Sequence, residues 1–188
     1  ERVAWESLLQ AQGTVGWNGH TPSVDLTIQA DAGKIKTDEI TSSYELLGVK
    51  IQLDDKSGQL ALNFESPSLG KAKVDLHIDD PEHKRQLSGD LSLTNLRLYG
   101  VAPMFDELRR TKGRIDAQGR FAGVLDKPLF YGQLRLSEGE IDTSAEIATV
   151  RQLVTVVNID GAKAEVDGSM MVGKGKLTLG GFIDWSAG

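Results

Sequence analysis

The residues that could do chemistry in this chain are few and scattered. There are three histidines, His20, His77 and His83, and no cysteine. His20 stands in a turn before Pro22, His77 within an alternating strand-like run, and His83 in the loop Pro81-Glu-His-Lys-Arg85. None has a second ligand at metal-binding spacing, so neither a zinc nor a thiolate centre is expected. Two carboxylate pairs, Asp54 with Asp55 and Asp79 with Asp80, could suggest acid–base work or calcium. Both sit where hairpins must turn, and adjacent residues of an extended chain point to opposite faces, so turn chemistry explains them better. No nucleophile elbow, phosphate loop or dinucleotide fingerprint follows a strand and opens a helix. The expectation is a protein that is not an enzyme and uses no cofactor or metal.

Binding to nucleic acid is disfavoured too. The formal net charge is −6, whereas neutralising phosphates needs a clustered positive surface. The one basic cluster is Arg109, Arg110, Lys112, Arg114 and Arg120, read as a solvated rim with acidic lipid head groups as the functional alternative. Carbohydrate platforms would need exposed aromatics; of Trp5, Trp17 and Trp185, the last two occupy equivalent repeat positions, which favours a structural role. Without cysteine, either an oxidising or a reducing compartment would be tolerated. No apolar run approaches a membrane span of about 18 residues, and no signal peptide is visible.

The elements around these residues are strands. Apolar residues alternate with polar or small ones at Val24, Leu26, Ile28; Val49, Ile51, Leu53; Leu60, Leu62, Phe64; and Val74, Leu76, Ile78. The intervening Asp25, Thr27, Lys50, Gln52, Asn63, Asp75 and His77 give each run one greasy and one wet face. The pattern continues at Leu87, Gly89, Leu91, Leu93; Ile115, Ala117, Gly119, Phe121; Leu134, Leu136; Val154, Val156; Met170, Val172; Leu177, Leu179; and Ile183 with Trp185. About a dozen strands result. Their connections carry Asp, Ser, Gly and Pro, and 21 of 188 residues are Gly, about 11 per cent against an average of roughly 7. Antiparallel hairpins follow.

Two stretches break the period. Pro103 to Lys112 has Pro in its first turn, acids early, bases late and Gly113 after its end, which predicts one short helix over about 103–112. Ser144 to Leu153 could be helix or loop, and Trp5 to Gln10 is equally open.

An internal repeat is countable. A shift of 106 residues pairs Gly13, Val15, Trp17, Pro22, Val24, Ile28, Gly33 and Ile35 with Gly119, Phe121, Gly123, Pro128, Phe130, Leu134, Gly139 and Ile141. A shift of 168 pairs Gly13, Val15 and Trp17 with Gly181, Ile183 and Trp185. A repeated hairpin unit accounts for both.

A sheet with one apolar face must fold over, pack a second sheet or hold something apolar. The single helix offers only Met104, Phe105 and Leu108, too little to cover a dozen strands. Aromatics are 6 per cent, and Gly89, Ala117, Gly119 and Ala61 would fill a sandwich core about 10 Å thick poorly. A strongly curved sheet therefore stands beside a closed sandwich as an expectation, with Gly supplying kinks and bulges.

The segment Gly119-Arg-Phe-Ala-Gly123 through Lys127-Pro-Leu-Phe-Tyr-Gly132-Gln-Leu-Arg-Leu-Ser-Glu-Gly139-Glu-Ile141 resembles the repeating unit of the TamB family. Leu91-Ser-Leu-Thr-Asn-Leu-Arg-Leu98, the helix, and Gly113-Arg-Ile-Asp116 resemble that family's carboxy-proximal region. The resemblance implies an all-β fold: a long curved antiparallel sheet folded into a taco-like half-pipe with an apolar interior, here one β-rich domain over 1–188 cut from a longer repeat protein. It implies a body on the periplasmic side of the inner membrane, spanning towards the outer membrane, that works with the outer-membrane barrel TamA in the assembly of autotransporters and other outer-membrane proteins and is associated, like AsmA-type relatives, with phospholipid transport. The expected partners are TamA, unfolded outer-membrane clients and phospholipid acyl chains. The expected lining of the interior is the set of alternating residues above from Val24 to Leu93, apart from Gly89, with Ile115, Phe121, Leu134, Leu136 and Ile141. A spacer or adhesive sandwich without cargo is the rival expectation.

Overall fold

The computed structural model describes residues 4–18, 21–36, 41–98, 111–141 and 149–186. Within them lie twelve strands: β1 (Ala4–Glu6), β2 (Leu9–Asn18), β3 (Thr21–Lys36), β4 (Thr41–Leu53), β5 (Ser57–Ser66), β6 (Gly70–Asp79), β7 (Gln86–Arg97), β8 (Thr111–Val124), β9 (Lys127–Ile141), β10 (Val150–Gly161), β11 (Lys163–Val172) and β12 (Gly175–Asp184). All join one sheet, in sequence order from β3 to β12 and antiparallel throughout. The β3 ladder ends the sheet on its other side by pairing β2 with its first half and β1 with its second. Close approach between strands is essentially confined to hydrogen-bonded neighbours. No second layer covers this sheet among the described residues; it is open and curled, a half-pipe rather than a sandwich.

Each hairpin forms where the sequence places turn chemistry. Asp54 accepts hydrogen bonds from the Lys56 and Ser57 amides, both at 2.8 Å, closing the β4–β5 turn. Those two amide bonds hold its carboxyl below the usual range. Adjacent turns are tied in series at this end: the Asp80 amide donates to the Lys56 carbonyl at 2.9 Å, and the Leu125 amide to the Arg85 carbonyl at 2.8 Å. Arg85 Nη1 reaches both oxygens of Asp126 at 2.9 and 3.0 Å.

The opposite end of the sheet is irregular. In β3 the consecutive residues Asp31 and Ala32 are exposed, and in β4, at the same level, Glu45 and Leu46. The alternation therefore slips by one in both strands together, and Tyr44, 1% exposed, turns to the side of Phe64. Further along, β7 carries an extra residue between Leu93 and Leu96, β9 between Leu136 and Gly139, and β10 between Arg151 and Leu153.

Residues 103–110 of the expected helix lie outside the described residues, and Thr111 and Lys112 belong to β8, where Thr111 pairs with Ile141. Of Ser144–Leu153, Val150–Leu153 is strand, while 144–148 lie outside the described residues. Trp5–Gln10 is neither one helix nor one strand: β1 ends at Glu6 and β2 starts at Leu9.

Candidate functional site

Direct cross-strand partners share a face, so the registers sort every side chain. One row runs Leu26, Ile51, Leu60, Leu76, Gly89, Phe121, Phe130, Gly161. The next runs Ile28, Val49, Leu62, Val74, Leu91, Gly119, Gly132, Ile159, Ala164, Ile183. The third runs Ala30, Leu47, Phe64, Ala72, Leu93, Ala117, Leu134, Val157, Val166, Gly181. A shorter row above holds Val24, Leu53, Gly58, Ile78 and Leu87; below, Ile115 faces Leu136 and Ile141 faces Val150. No Asp, Glu, Lys or Arg interrupts these rows.

The neighbouring rows are polar. Thr27, Lys50, Ala61, Asp75, Asp90, Arg120, Tyr131, Asp160 and Lys163 stand side by side, with Arg120 lying 5.3 Å from the Tyr131 ring centre. Below them come Gln29, Gly48, Asn63, Lys73, Ser92, Gln118, Gln133, Asn158 and Glu165, where Gln133 donates to Asn158 at 2.8 Å. The sheet is therefore two-faced across its whole width.

Exposure shows that the apolar face is not a closed core. Of the residues expected to line it, only Leu87 is buried, at 7%; the others are all half-buried. The few fully buried apolar side chains, such as Ala30, Tyr44, Leu69, Leu153 and Ala164, lie mostly towards the strand ends. Curling explains the intermediate value: neighbouring side chains on the inner side of a bent sheet shield one another, while no other described residue lies across them.

Glycine shapes this face near its middle. A Cβ at Gly119 would lie 2.4 Å from Phe130 Cζ, and one at Gly132 would lie 2.3 Å from the Gln118 carbonyl oxygen. Phe130 thus spreads over the glycine row, edge-on to Phe121 with ring centres 4.9 Å apart.

The registers bring the twenty expected lining residues onto a single face, and they add members that alternation misassigns. Val154 and Val156 read as an inward pair in sequence, but Val156 pairs with Arg135 and Asp167 on the polar face. Val157, Ile159 and Leu153 take the apolar side instead. The extra residue before Leu153 shifts the frame; its only trace in the sequence is the two apolar doublets Leu153-Val154 and Val156-Val157. The Val166, Met170, Leu177, Leu179 and Ile183 side of β11 and β12 completes the face.

The candidate reactive residues stay apart. His77 lies 3.0 Å from Asp79 and His83 2.9 Å from Asp80, both at the surface; His20 lies outside the described residues. The hydrogen bond to the Asp80 carboxylate raises the His83 pKa above 6.5. No group of three or more His, Asp or Glu able to hold a metal occurs among the described residues. In the basic cluster, Lys112 pairs with Glu140 at 3.1 Å and Arg114 with Glu138; Arg109 and Arg110 lie outside the described residues. Among those described, no helix is long and apolar enough to cross a membrane.

Residues 1–136 match the family model described as TamB, N-terminal domain. The chain is also similar to the translocation and assembly module subunit TamB of Haemophilus influenzae, with 21% identity over 192 residues covering 99% of this chain. The chain spans 15% of that relative's length. No solved structure matches. The family agrees with the sequence resemblance; the matched domain is the one named N-terminal, whereas the resemblance points to the carboxy-proximal region.

Proposed function

Since the chain belongs to the TamB family, we propose that it is one section of a non-enzymatic conduit whose apolar face shields hydrophobic cargo from water. The observation that carries the reading is the uninterrupted, uncharged face across β3 to β12, which no other described residue covers. A sheet exposing this much contiguous apolar surface has a binding role more often than not. Each acyl methylene moved onto it from water would gain up to about 0.8 kcal/mol, so a single chain could be held reversibly.

In this reading the twenty residues from Val24 to Ile141 are cargo contacts. The cargo is phospholipid acyl chains in transit between the two membranes, or the amphipathic strands of outer-membrane proteins such as autotransporters. The chain works on the periplasmic side of the inner membrane, within an assembly that includes TamA. Like the relative named as a module subunit, it is one component rather than the whole machine.

The test is photo-crosslinking in cells from the full-length protein, with the probe at Ile28, Leu62 or Leu91 and, as outward controls, at Thr27, Asn63 or Ser92. Lipid or client adducts confined to the first set are the expected result and would name the cargo. Adducts from neither set, or internal crosslinks alone, would turn the reading to that of a spacer.

A further inference from the structure

The irregular end of the sheet has a regular plan. Three strands each insert one residue towards the same end of the sheet, stepped a few residues along from one strand to the next, and the inserted residue adopts a left-handed backbone although it is not glycine: Asn95 (φ 52°) in β7, Glu138 (φ 53°) in β9 and Gln152 (φ 52°) in β10. Between the first two, β8 places Gly113 at φ 141° opposite the β9 insertion. The paired slip in β3 and β4 lies at the corresponding end. A seam of irregularity thus runs across the strands rather than along one of them.

An inserted residue bends its strand and increases the local twist. Left-handed backbone at non-glycine residues is unfavourable and persists only where the surroundings impose it. Local contacts do so at two of the three. Asp116 Oδ1 accepts the Asn95 amide at 2.8 Å, and Glu138 is held by Arg114, whose Nε donates to it at 2.8 Å. The insertions also preserve the division of faces: Leu93 and Leu96, Leu136 and Gly139, and Val150 and Leu153 all lie on the apolar side across their insertions. Removing each extra residue would restore plain alternation with every apolar side chain still facing inward.

We propose that Asn95, Glu138 and Gln152 are the positioning residues of the trough: together they coil the sheet, set the distance between its arms and so select the cross-section of the cargo. This rests on the conduit reading above and names the residues that shape it.

The experiment combines deletion of Asn95, Glu138 and Gln152 with a distance measurement across the trough. The sequence has no cysteine, so Lys50→Cys in β4 and Glu165→Cys in β11, both exposed on the polar face, give unique spin-label sites. Circular dichroism checks that the sheet is retained, and deletion of Gln152 alone serves if the triple deletion does not fold. Partition of a fluorescent fatty acid into the protein is measured alongside.

The expected result is a mean label separation larger than the parent distribution allows and at least a tenfold weaker fatty-acid affinity. The triple glycine variant Asn95→Gly, Glu138→Gly, Gln152→Gly, which keeps the insertions, should leave both unchanged. An unchanged separation after deletion overturns the proposal. So does a wider separation with unchanged affinity, because arm spacing would then not select cargo. Failure of the parent itself to bind the fatty acid counts against the conduit reading's lipid form, while the separation still decides whether the insertions set the width.

Discussion

Phe130 covers Gly119 so closely that a methyl group added there would stand 2.4 Å from Cζ of the ring and 2.6 Å from the Tyr131 carbonyl oxygen. The ring could turn; the backbone could not. At Gly132 both nearest obstacles are backbone, the Gln118 carbonyl at 2.3 Å and the Gly119 Cα at 2.6 Å. Gly132→Ala should therefore destabilise the sheet by about 1–3 kcal/mol, as overpacking does. Gly48 stands on the polar face with nothing within 4 Å, and Gly48→Ala should be neutral or stabilising by up to about 1 kcal/mol. Urea unfolding of the two variants checks both; equal effects would mean that close strand approach does not explain the glycine row.

Tyr44 is 1% exposed, and its hydroxyl donates to Ser7 Oγ, which ties the chain between β1 and β2 to β4. Tyr44→Phe should cost about 1 kcal/mol through the lost bond, and Tyr44→Ala about 3–5 kcal/mol through the cavity. Hydrogen exchange should further separate them: Tyr44→Phe is expected to speed exchange in β1 selectively, whereas Tyr44→Ala should also affect β4 and β5. Unaltered β1 exchange in Tyr44→Phe would show that the hydroxyl is not the tether.

The Asp80 and His83 side chains at the β6–β7 turn shift each other's titration. Each raises or lowers the other in the direction of charge: His83 is raised by the Asp80 hydrogen bond, and Asp80 is lowered by the His83 hydrogen bond. The His83 contribution is fully present below its unfolded value near 6.5 and is lost as pH rises through the raised folded value. The Asp80 contribution is present above the unfolded value of 3.8 and is lost as pH falls through the depressed one. An NMR titration should find the His83 midpoint above 6.5, and Asp80→Asn should lower it. Because both groups are at the surface, the unfolding midpoint should barely move.

Much of this architecture can be read from the residues. Alternation at Val24 to Leu93 identifies the inward side chains of five strands because those strands are regular through their middles, and one residue out of two is a strong signal when the face is apolar from end to end. Asp54 and Gly58 mark their turn for the same local reason. What alternation cannot show is a change of frame. Asn95, Glu138 and Gln152 look like ordinary polar residues, and only the pairing of their strands reveals them as insertions. Pattern alone therefore puts Val154 and Val156 on the wrong face, and alternation does not decide between sandwich and half-pipe, which depends on how far the sheet coils.

The two faces make opposite demands on a charge, and neighbouring residues test them. Leu91 lies between Val74 and Gly119 on the apolar side; Ser92 lies between Lys73 and Gln118 on the polar side. An arginine at 91 must bring its guanidinium near a wall that offers no counter-ion, although its long stem can carry part of the charge towards water. Leu91→Arg should thus destabilise by about 2 kcal/mol, within the ordinary range for a misplaced charge, and should abolish binding of an environment-sensitive apolar dye. Ser92→Arg should keep both stability, within about 0.5 kcal/mol, and dye binding. On the conduit function proposed above, the same contrast should appear in outer-membrane barrier assays of the full-length protein, expressed in cells lacking the native copy. If Leu91→Arg folds, binds dye and supports the barrier as well as Ser92→Arg, an uncharged face is not what the protein uses, and its apolar residues are there only to hold the sheet together.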